Sequence, residues 1–317
     1  MHDACAYYER LVNGRNLSTL CALSGAAPKG TPSATPPREP QGEPVTLVME
    51  SAAPAVTLPE LEPSRLAPVL FVAVHGSQAT WDACDFSDVD VLVAIDDRGT
   101  YSASQHESAV FELRRLLRAV YRHDPLMHHG LMFCAASDLD SWDQSMLPLQ
   151  TLRLAHRLHG AGEISVHVTA PQAGAMRMRV RSTVNVLHAR LRERAYERGD
   201  HAYKQFLSNV LLLPALVAAA RGEFVYKRDS FALAQSWFTR DQWSGIARAE
   251  DLRLRWKRPI EPVVQRVLGE FAHPSLRVRW AASMQHRENA ARLAASESER
   301  WRDELERTLA RAQELAA

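Results

Sequence analysis

Two short groups of residues, Gly76-Ser77 and Asp88-Val89-Asp90, have the types and spacing that phosphate and metal chemistry requires. Gly76 lets the backbone approach a phosphate without a Cβ in the way, and Ser77 offers a hydroxyl and a backbone N–H. Asp88 and Asp90 alternate along a predicted strand, so their carboxylates face the same side. Two such carboxylates repel each other unless a cation lies between them, and hard oxygen ligands suit Mg²⁺. The segment therefore predicts a site for Mg²⁺ and a phosphorylated ligand.

Two apolar strands flank these residues. The run VLFVAV over residues 69–74 is continuous and rich in branched side chains, which indicates a buried strand. His75-Gly76-Ser77 ends it with turn chemistry. The run VDVLVAI over residues 89–95 predicts a second strand of the same kind, closed by a turn over residues 96–99.

This arrangement resembles the signature of the nucleotidyltransferase superfamily related to DNA polymerase β: an apolar strand, Gly-Ser or Gly-Gly, about ten residues, then Asp-x-Asp/Glu in a second strand. The resemblance covers residues 66–160, and the overall layout is similar to the small standalone and antibiotic-modifying members. It implies an enzyme that transfers a nucleoside monophosphate from a nucleoside triphosphate to an acceptor hydroxyl and releases pyrophosphate. Asp88 and Asp90 then bind Mg²⁺, and Gly76 and Ser77 bind phosphate. Taken singly, a Gly-Ser pair is most often a turn, and an Asp-x-Asp group is most often a solvated strand end. The two flanking strands and the spacing between the groups favour a binding site.

One feature departs from that resemblance. Active members usually supply a third carboxylate from a later strand, yet the corresponding run MHHGLMF over residues 127–133 contains no acid. Two interpretations of its histidines stay open. His129 takes the third position as a metal ligand or base, or His128 and His129 simply cap the strand. Loss of the acid favours an alternative function, a non-catalytic nucleotide-binding regulatory module. A third hypothesis is a partner-binding helical protein in which the α/β part is only a scaffold.

A basic pair, Lys227-Arg228, follows the apolar helix predicted over residues 201–221. The resemblance implies a helical domain that supplies basic side chains to the triphosphate, and Lys227 and Arg228 suit that task. The alternative is a solvated basic turn with Asp229 or Ser230 as helix N-cap.

The remaining pattern predicts an α+β fold. A helix over residues 104–122, a strand over 131–135 and a helix over 143–158 complete a small nucleotidyltransferase-like α/β domain with a mixed sheet. Beyond residue 165 every segment suits helices, which predicts an all-helical C-terminal domain: 175–198, 201–221, 230–238, 241–256, 260–271 and 281–317. A short helix begins the chain, and a stretch over residues 25–44, dense in Pro, Gly and Ser, predicts a flexible linker. The expected domains are 1–60 (extension and linker), 61–163 (catalytic) and 164–317 (helical).

Composition sets few further limits. The chain has 317 residues, 46% of them hydrophobic, and a formal net charge of +1, which gives no global argument for nucleic acid or membrane binding. Its four cysteines show no CxxC spacing, so a cytoplasmic protein with reduced thiols is expected. The longest apolar run, over residues 210–220, is interrupted by Pro214 and is expected to be too short to span a bilayer. The base of the nucleotide stays open, and the acceptor is a small molecule, a tRNA or a protein.

Overall fold

A computed structural model describes residues 3–13, 44–51, 56–124, 126–127, 129–169, 173–257, 289 and 298–317. The described chain divides into two compact units. The first holds residues up to 83 and residues 87–169, and the second holds residues 84–86 and those from 173 onward. Each unit is considered by itself below.

The elements of the first unit follow one another in the order α1 (Asp3–Tyr8), a π-helical turn (Glu9–Asn13), β1 (Val45–Val48), β2 (Val69–His75), β3 (Asp90–Ile95), α2 (Ala103–His123), β4 (Met132–Ala135), β5 (Trp142–Asp143), α3 (Leu149–Arg153), β6 (His156–Gly160), β7 (Glu163–Val166) and β8 (Val168–Thr169). The second unit comprises α4 (Ala173–Arg192), α5 (Asp200–Ala220), α6 (Lys227–Gln235), α7 (Arg240–Leu254) and α8 (Ser298–Leu315).

The main sheet of the first unit is mixed, with the strand order β4-β3-β2-β6. β2 pairs antiparallel with both β3 and β6, whereas β3 and β4 are parallel. Parallel neighbours need a crossover connection, and α2 supplies it. The strands predicted over residues 69–74, 89–95 and 131–135 and the helix predicted over 104–122 are therefore confirmed.

α2 covers one face of this sheet. Its N-terminus carries a capping box, in which the Ser102 side chain accepts from the backbone of Gln105 and the Gln105 side chain accepts from the backbone of Ser102. Its apolar stripe is fully buried against the branched side chains of the central strands and against the N-terminal helix; the shared core includes Leu113, Leu116, Leu117, Val120, Val72, Val74, Val91, Val93, Tyr8 and Val12. The opposite face carries Phe71, Ala73, Leu92 and Ala94, covered by β1, β7 and the segment around Trp142.

The helix predicted over residues 143–158 is wrong. The chain forms only the short α3 and then β6, which pairs with the free edge of β2. Pro148 lacks a backbone N–H and precedes α3 as its N-cap residue. Gly160 adopts φ +88°, and a Cβ there would overlap the backbone of Leu70 on the neighbouring strand. Of the leucines in this segment, Leu147, Leu149 and Leu152 pack in the core on the β1 side of the sheet, whereas Leu158 packs against the core on the α2 side.

The N-terminal segment is part of the first unit's core. The helix predicted near the start is present as α1 and the π-helical turn after it, and Tyr8 and Val12 are fully buried. The linker predicted over residues 25–44 lies outside the described residues except for Pro44. β1 follows directly and pairs with β7.

The second unit is helical throughout its described part, as predicted for the C-terminal region. α8 packs on α7, where Thr308 Oγ1 donates to the Gln242 carbonyl at 2.7 Å and Trp301 Nε1 donates to the Gly245 carbonyl at 3.3 Å. Trp301 is almost fully buried and contacts the rings of Tyr196, Tyr203 and Phe206. The helix predicted over residues 260–271 and the first part of the tail helix lie outside the described residues.

α5 is the most apolar helix described. Pro214 lies inside it and does not interrupt it, so the apolar run is part of a 21-residue helix. By length and composition this helix could cross a membrane, but 67% of its most apolar window is buried inside the unit. A mostly buried core helix passes the same test, so this is weak evidence for a membrane span.

Candidate functional site

The sheet topology brings the predicted site residues to one edge. β2 ends where β3 begins, and the register pairs His75 with Asp90. β4 runs parallel to β3, so both strands start at that same edge. The turn after β2, which holds Gly76 and Ser77, therefore lies beside the start of β3 and beside the segment before β4, which holds His129.

The imidazole of His129 contacts both carboxylates of the Asp88-x-Asp90 pair. Its Nε2 atom lies 3.1 Å from Asp90 Oδ1 and 3.4 Å from Asp88 Oδ2. Its Nδ1 atom lies 3.1 Å from the Gly130 carbonyl oxygen, which can only accept, so Nδ1 carries a hydrogen. The Nε2 atom is thereby directed at the two carboxylates. His128 lies outside the described residues.

The charges of this group stabilise one another. Burial by itself lowers the pKa of His129, but the hydrogen bonds that its imidazole donates to the Asp88 and Asp90 carboxylates outweigh burial and hold this pKa well above the usual value. Burial by itself raises the pKa of Asp90, yet the hydrogen bond and charge of His129 lower it overall. The contact therefore favours the protonated form of His129 and the carboxylate form of Asp90. The side chains of His129, Asp88 and Asp90 are 25%, 12% and 31% exposed, and Oδ1 of Asp88 is buried.

Gly76 is in direct contact with the Asp90 carboxylate. It adopts φ +73°, in the left-handed region, and a Cβ at this position would lie 2.6 Å from Asp90 Oδ2. The turn that follows is a short 3-10 helix, Gly76–Gln78, whose first carbonyl accepts from the backbone N–H groups of Ala79 and Thr80 at 3.0 and 3.1 Å. Glycine is thus required both by conformation and by the close approach.

Ser77 lies in this turn and is half-buried. In the described part of the chain its hydroxyl makes no hydrogen bond, so it stays available to a ligand at the edge of the Asp90 carboxylate.

No protein-family model, curated protein or solved structure matches the chain.

His75 is a site residue that the sequence pattern did not single out. It is 5% exposed and sits across the ladder from Asp90. Its Nε2 atom is buried and has no hydrogen-bond partner among the described residues. Burial lowers the pKa of His75. The charge of Asp90 raises this pKa, whereas the charge of His129 lowers it further. The signal available in the sequence was a histidine at the last position of a buried strand, directly before Gly76.

Asn13 is a second residue that sequence reasoning missed. Its side-chain Nδ2 donates to the Leu131 carbonyl at 2.7 Å, and its Oδ1 accepts from the Leu131 N–H at 3.0 Å. Nδ2 also donates to Glu9 Oε2 at 2.7 Å. Asn13 is almost fully buried and holds the edge of the sheet two residues after His129. Nothing in the sequence near Asn13 marks a contact so distant along the chain.

Lys227 and Arg228 belong to the second unit and form the first turn of α6. Tyr226 is the N-cap residue of that helix, so the N-cap at Asp229 or Ser230 considered from the sequence is wrong. Arg228 lies 3.6 Å from the Asp229 carboxylate and over the Tyr226 ring, with 56% of its side chain exposed.

Two carboxylates at one edge fit Mg²⁺, which is commonly held by one or two protein carboxylates together with phosphates and water. Within the described residues, no group of three or more His, Cys, Asp and Glu side chains could by itself hold a metal ion. Among the described residues, Asp88 and Asp90 are the two carboxylates that His129 contacts at this edge of the sheet.

Proposed function

We propose that the chain is a Mg²⁺-dependent nucleotidyltransferase that moves a nucleoside monophosphate from a nucleoside triphosphate to an acceptor hydroxyl and releases pyrophosphate. The observation that carries this proposal is the convergence of His129 on Asp88 and Asp90 beside Gly76. A histidine that only capped β4 would have no reason to reach both carboxylates. The proposal places the reaction in the cytoplasm, where nucleoside triphosphates are available.

Each residue of the group has a role in this proposal. The backbone at Gly76 and the hydroxyl of Ser77 bind phosphate oxygens. Asp88 and Asp90 hold the cation, which neutralises charge on the triphosphate. Charged His129 keeps the two carboxylates oriented; in its neutral form, Nε2 can accept the proton of the acceptor hydroxyl.

One observation favours the alternative, a nucleotide-binding regulatory module without catalysis. His129 contacts both carboxylates, and they hold its pKa above the usual value, which favours its protonated form over the neutral form that a general base needs. In this second candidate the nucleotide binds beside Ser77, but no transfer follows.

The two candidates are separated by measuring binding and turnover of ATP, GTP, CTP and UTP with Mg²⁺, by calorimetry and by pyrophosphate release. We expect Mg²⁺-dependent binding in the wild-type chain and its loss in the double variant Asp88→Ala/Asp90→Ala. Release of pyrophosphate supports the transferase, and binding without release to any of a panel of hydroxyl acceptors supports the regulatory module.

A matched control is Asp85→Ala, which removes an exposed acid a few residues before the pair. This variant should bind and turn over the nucleotide as the wild type does. If no nucleotide binds in a Mg²⁺-dependent way, the nucleotidyltransferase proposal is wrong for this edge of the sheet.

A further inference from the structure

Trp81 stands out among the described residues because it exposes a large aromatic side chain in a strained backbone conformation. Its side chain is 66% exposed, and its φ is +59°. Arg194 is the only other described non-glycine residue with positive φ. The left-handed region is unfavourable for residues with a Cβ. Because the indole is exposed to solvent, it also contributes no stabilisation through the hydrophobic effect. Neither property stabilises the fold.

The turn around Trp81 is tied to the candidate site. The Gly76 carbonyl accepts from the Thr80 N–H at 3.1 Å and from the Thr80 hydroxyl at 3.3 Å. The Thr80 hydroxyl also contacts the Asp82 carboxylate, which fixes the residues on both sides of Trp81. Because Gly76 itself touches Asp90, the ring of Trp81 is carried by the same turn as the proposed phosphate ligands.

The ring faces of Trp81 are not used within the described structure. No described aromatic ring stacks on it and no described cation lies over it, whereas Phe86, Tyr196, Trp243, Trp256 and Trp301 each contact another ring. An exposed indole on the turn that follows Gly76 and Ser77 has the chemistry of a stacking platform for a base. Strained residues of this kind persist where function requires them.

We propose that Trp81 stacks on the nucleobase of the triphosphate whose phosphates lie against Gly76 and Ser77, an inference that rests on the proposed function. Stacking accepts any base because every base has a π-face. The larger faces of purines stack more strongly, so purine nucleotides should bind more tightly than pyrimidine nucleotides. Trp81 thus determines affinity for the base, while Gly76, Ser77 and the carboxylates bind the parts common to all four nucleotides.

The test compares two probes, ATP and inorganic tripolyphosphate, each with Mg²⁺, by calorimetry on the full chain. Trp81→Ala should weaken ATP binding about tenfold or more, from the usual contribution of base–aromatic stacking, and leave tripolyphosphate binding unchanged. Trp81→Phe should keep most of the ATP affinity. A matched control is Phe111→Ala, which removes another exposed aromatic ring of the first unit, on α2; it should change neither affinity.

Trp81→Gly separates binding from folding, because glycine removes the strain at φ +59°. Trp81→Gly should raise the midpoint of thermal unfolding while weakening ATP binding as Trp81→Ala does.

If ATP binds to the wild type and to Trp81→Ala with equal affinity, the stacking role is overturned but the proposed function is not. An equal loss of ATP and tripolyphosphate binding in Trp81→Ala also overturns it. Failure of the wild-type chain to bind either probe overturns the proposed function and the stacking role together.

Discussion

His129 Nε2 and Asp90 Oδ1, at a distance of 3.1 Å, join the starts of two neighbouring parallel strands. Each group changes the pKa of the other: the pKa of His129 is raised and that of Asp90 is lowered. The side chains of His129 and Asp90 are 25% and 31% exposed at this contact.

Stability should depend on pH through this ion pair. The pKa of His129 is higher in the folded state than its usual value, so its stabilisation is complete below that value, about 6.5, and is lost as the pH rises through the folded pKa. The lowered pKa of Asp90 acts in the other direction, and its stabilisation is lost as the pH falls below about 4. Urea unfolding of the wild type should therefore show greatest stability between these limits.

The variant His129→Gln isolates that effect. In the wild type, the free energy of unfolding should fall from pH 6.5 toward alkaline pH by at most about 1.4 kcal/mol per pH unit, the slope for one proton. In His129→Gln this alkaline decline should disappear. The same slope in both proteins would contradict the assignment of the raised pKa to His129.

When a cation displaces the Nε2 proton, His129 becomes a third ligand beside Asp88 and Asp90, so the cation preference of the site should depend on this residue. Its Nε2 atom lies 3.1 and 3.4 Å from the two carboxylate oxygens, close to the separation of about 3 Å between adjacent ligands of an octahedral cation. Imidazole nitrogen suits Mn²⁺ better than Mg²⁺. Calorimetry should therefore show a higher ratio of Mn²⁺ to Mg²⁺ affinity in the wild type than in His129→Asp, which restores an all-oxygen set.

His159→Asp is the matched control for that comparison, because it introduces a carboxylate on β6 of the same sheet. It should leave the ratio of Mn²⁺ to Mg²⁺ affinity unchanged. If His129→Asp also leaves the ratio unchanged, the imidazole nitrogen does not take part in cation binding.

The sequence predicted which residues converge at this sheet edge better than it predicted the fold around them. Strand alternation and the Gly-Ser turn are local properties, so the positions of Gly76, Asp90 and His129 at one edge followed from the order of strands and from the parallel crossover. The pairing of β6 with β2 was missed because leucines at helical spacing over residues 143–158 are equally compatible with packing under a sheet. Asn13 was missed because its partner, Leu131, is distant along the chain.

Asn13 should be required for stability and for the position of His129. Asn13→Ala leaves both the N–H and the carbonyl of Leu131 without their present partner in a buried place. The expected loss in the free energy of unfolding is about 2–4 kcal/mol, since each unsatisfied buried group costs about 1–3 kcal/mol. Urea unfolding measures this loss, and Mg²⁺-dependent nucleotide affinity should fall in the same variant.

Ser64→Ala provides the comparison for Asn13→Ala, because Ser64 makes an exposed hydrogen bond to Glu62 in the same unit. It should change stability by less than about 0.5 kcal/mol. An Asn13→Ala variant as stable as Ser64→Ala would show that the two hydrogen bonds to Leu131 do not hold the sheet edge.

Gly76→Ala should disturb the site through both conformation and contact. The new Cβ meets a left-handed φ of +73° and would lie 2.6 Å from Asp90 Oδ2. Gly222→Ala is a control that separates these effects, because Gly222 has φ +91° but no atom within 4 Å of the added Cβ. The conformational part alone costs about 1–2 kcal/mol. Gly76→Ala should lower the free energy of unfolding in urea more than Gly222→Ala does, and the difference measures the displacement of Asp90.

Gly76→Ala should also abolish Mg²⁺-dependent nucleotide binding, which Gly222→Ala should retain. Equal costs for the two variants, with nucleotide binding intact in both, would mean that the carboxylate of Asp90 moves aside freely and that the close contact between Gly76 and Asp90 is not needed for the site.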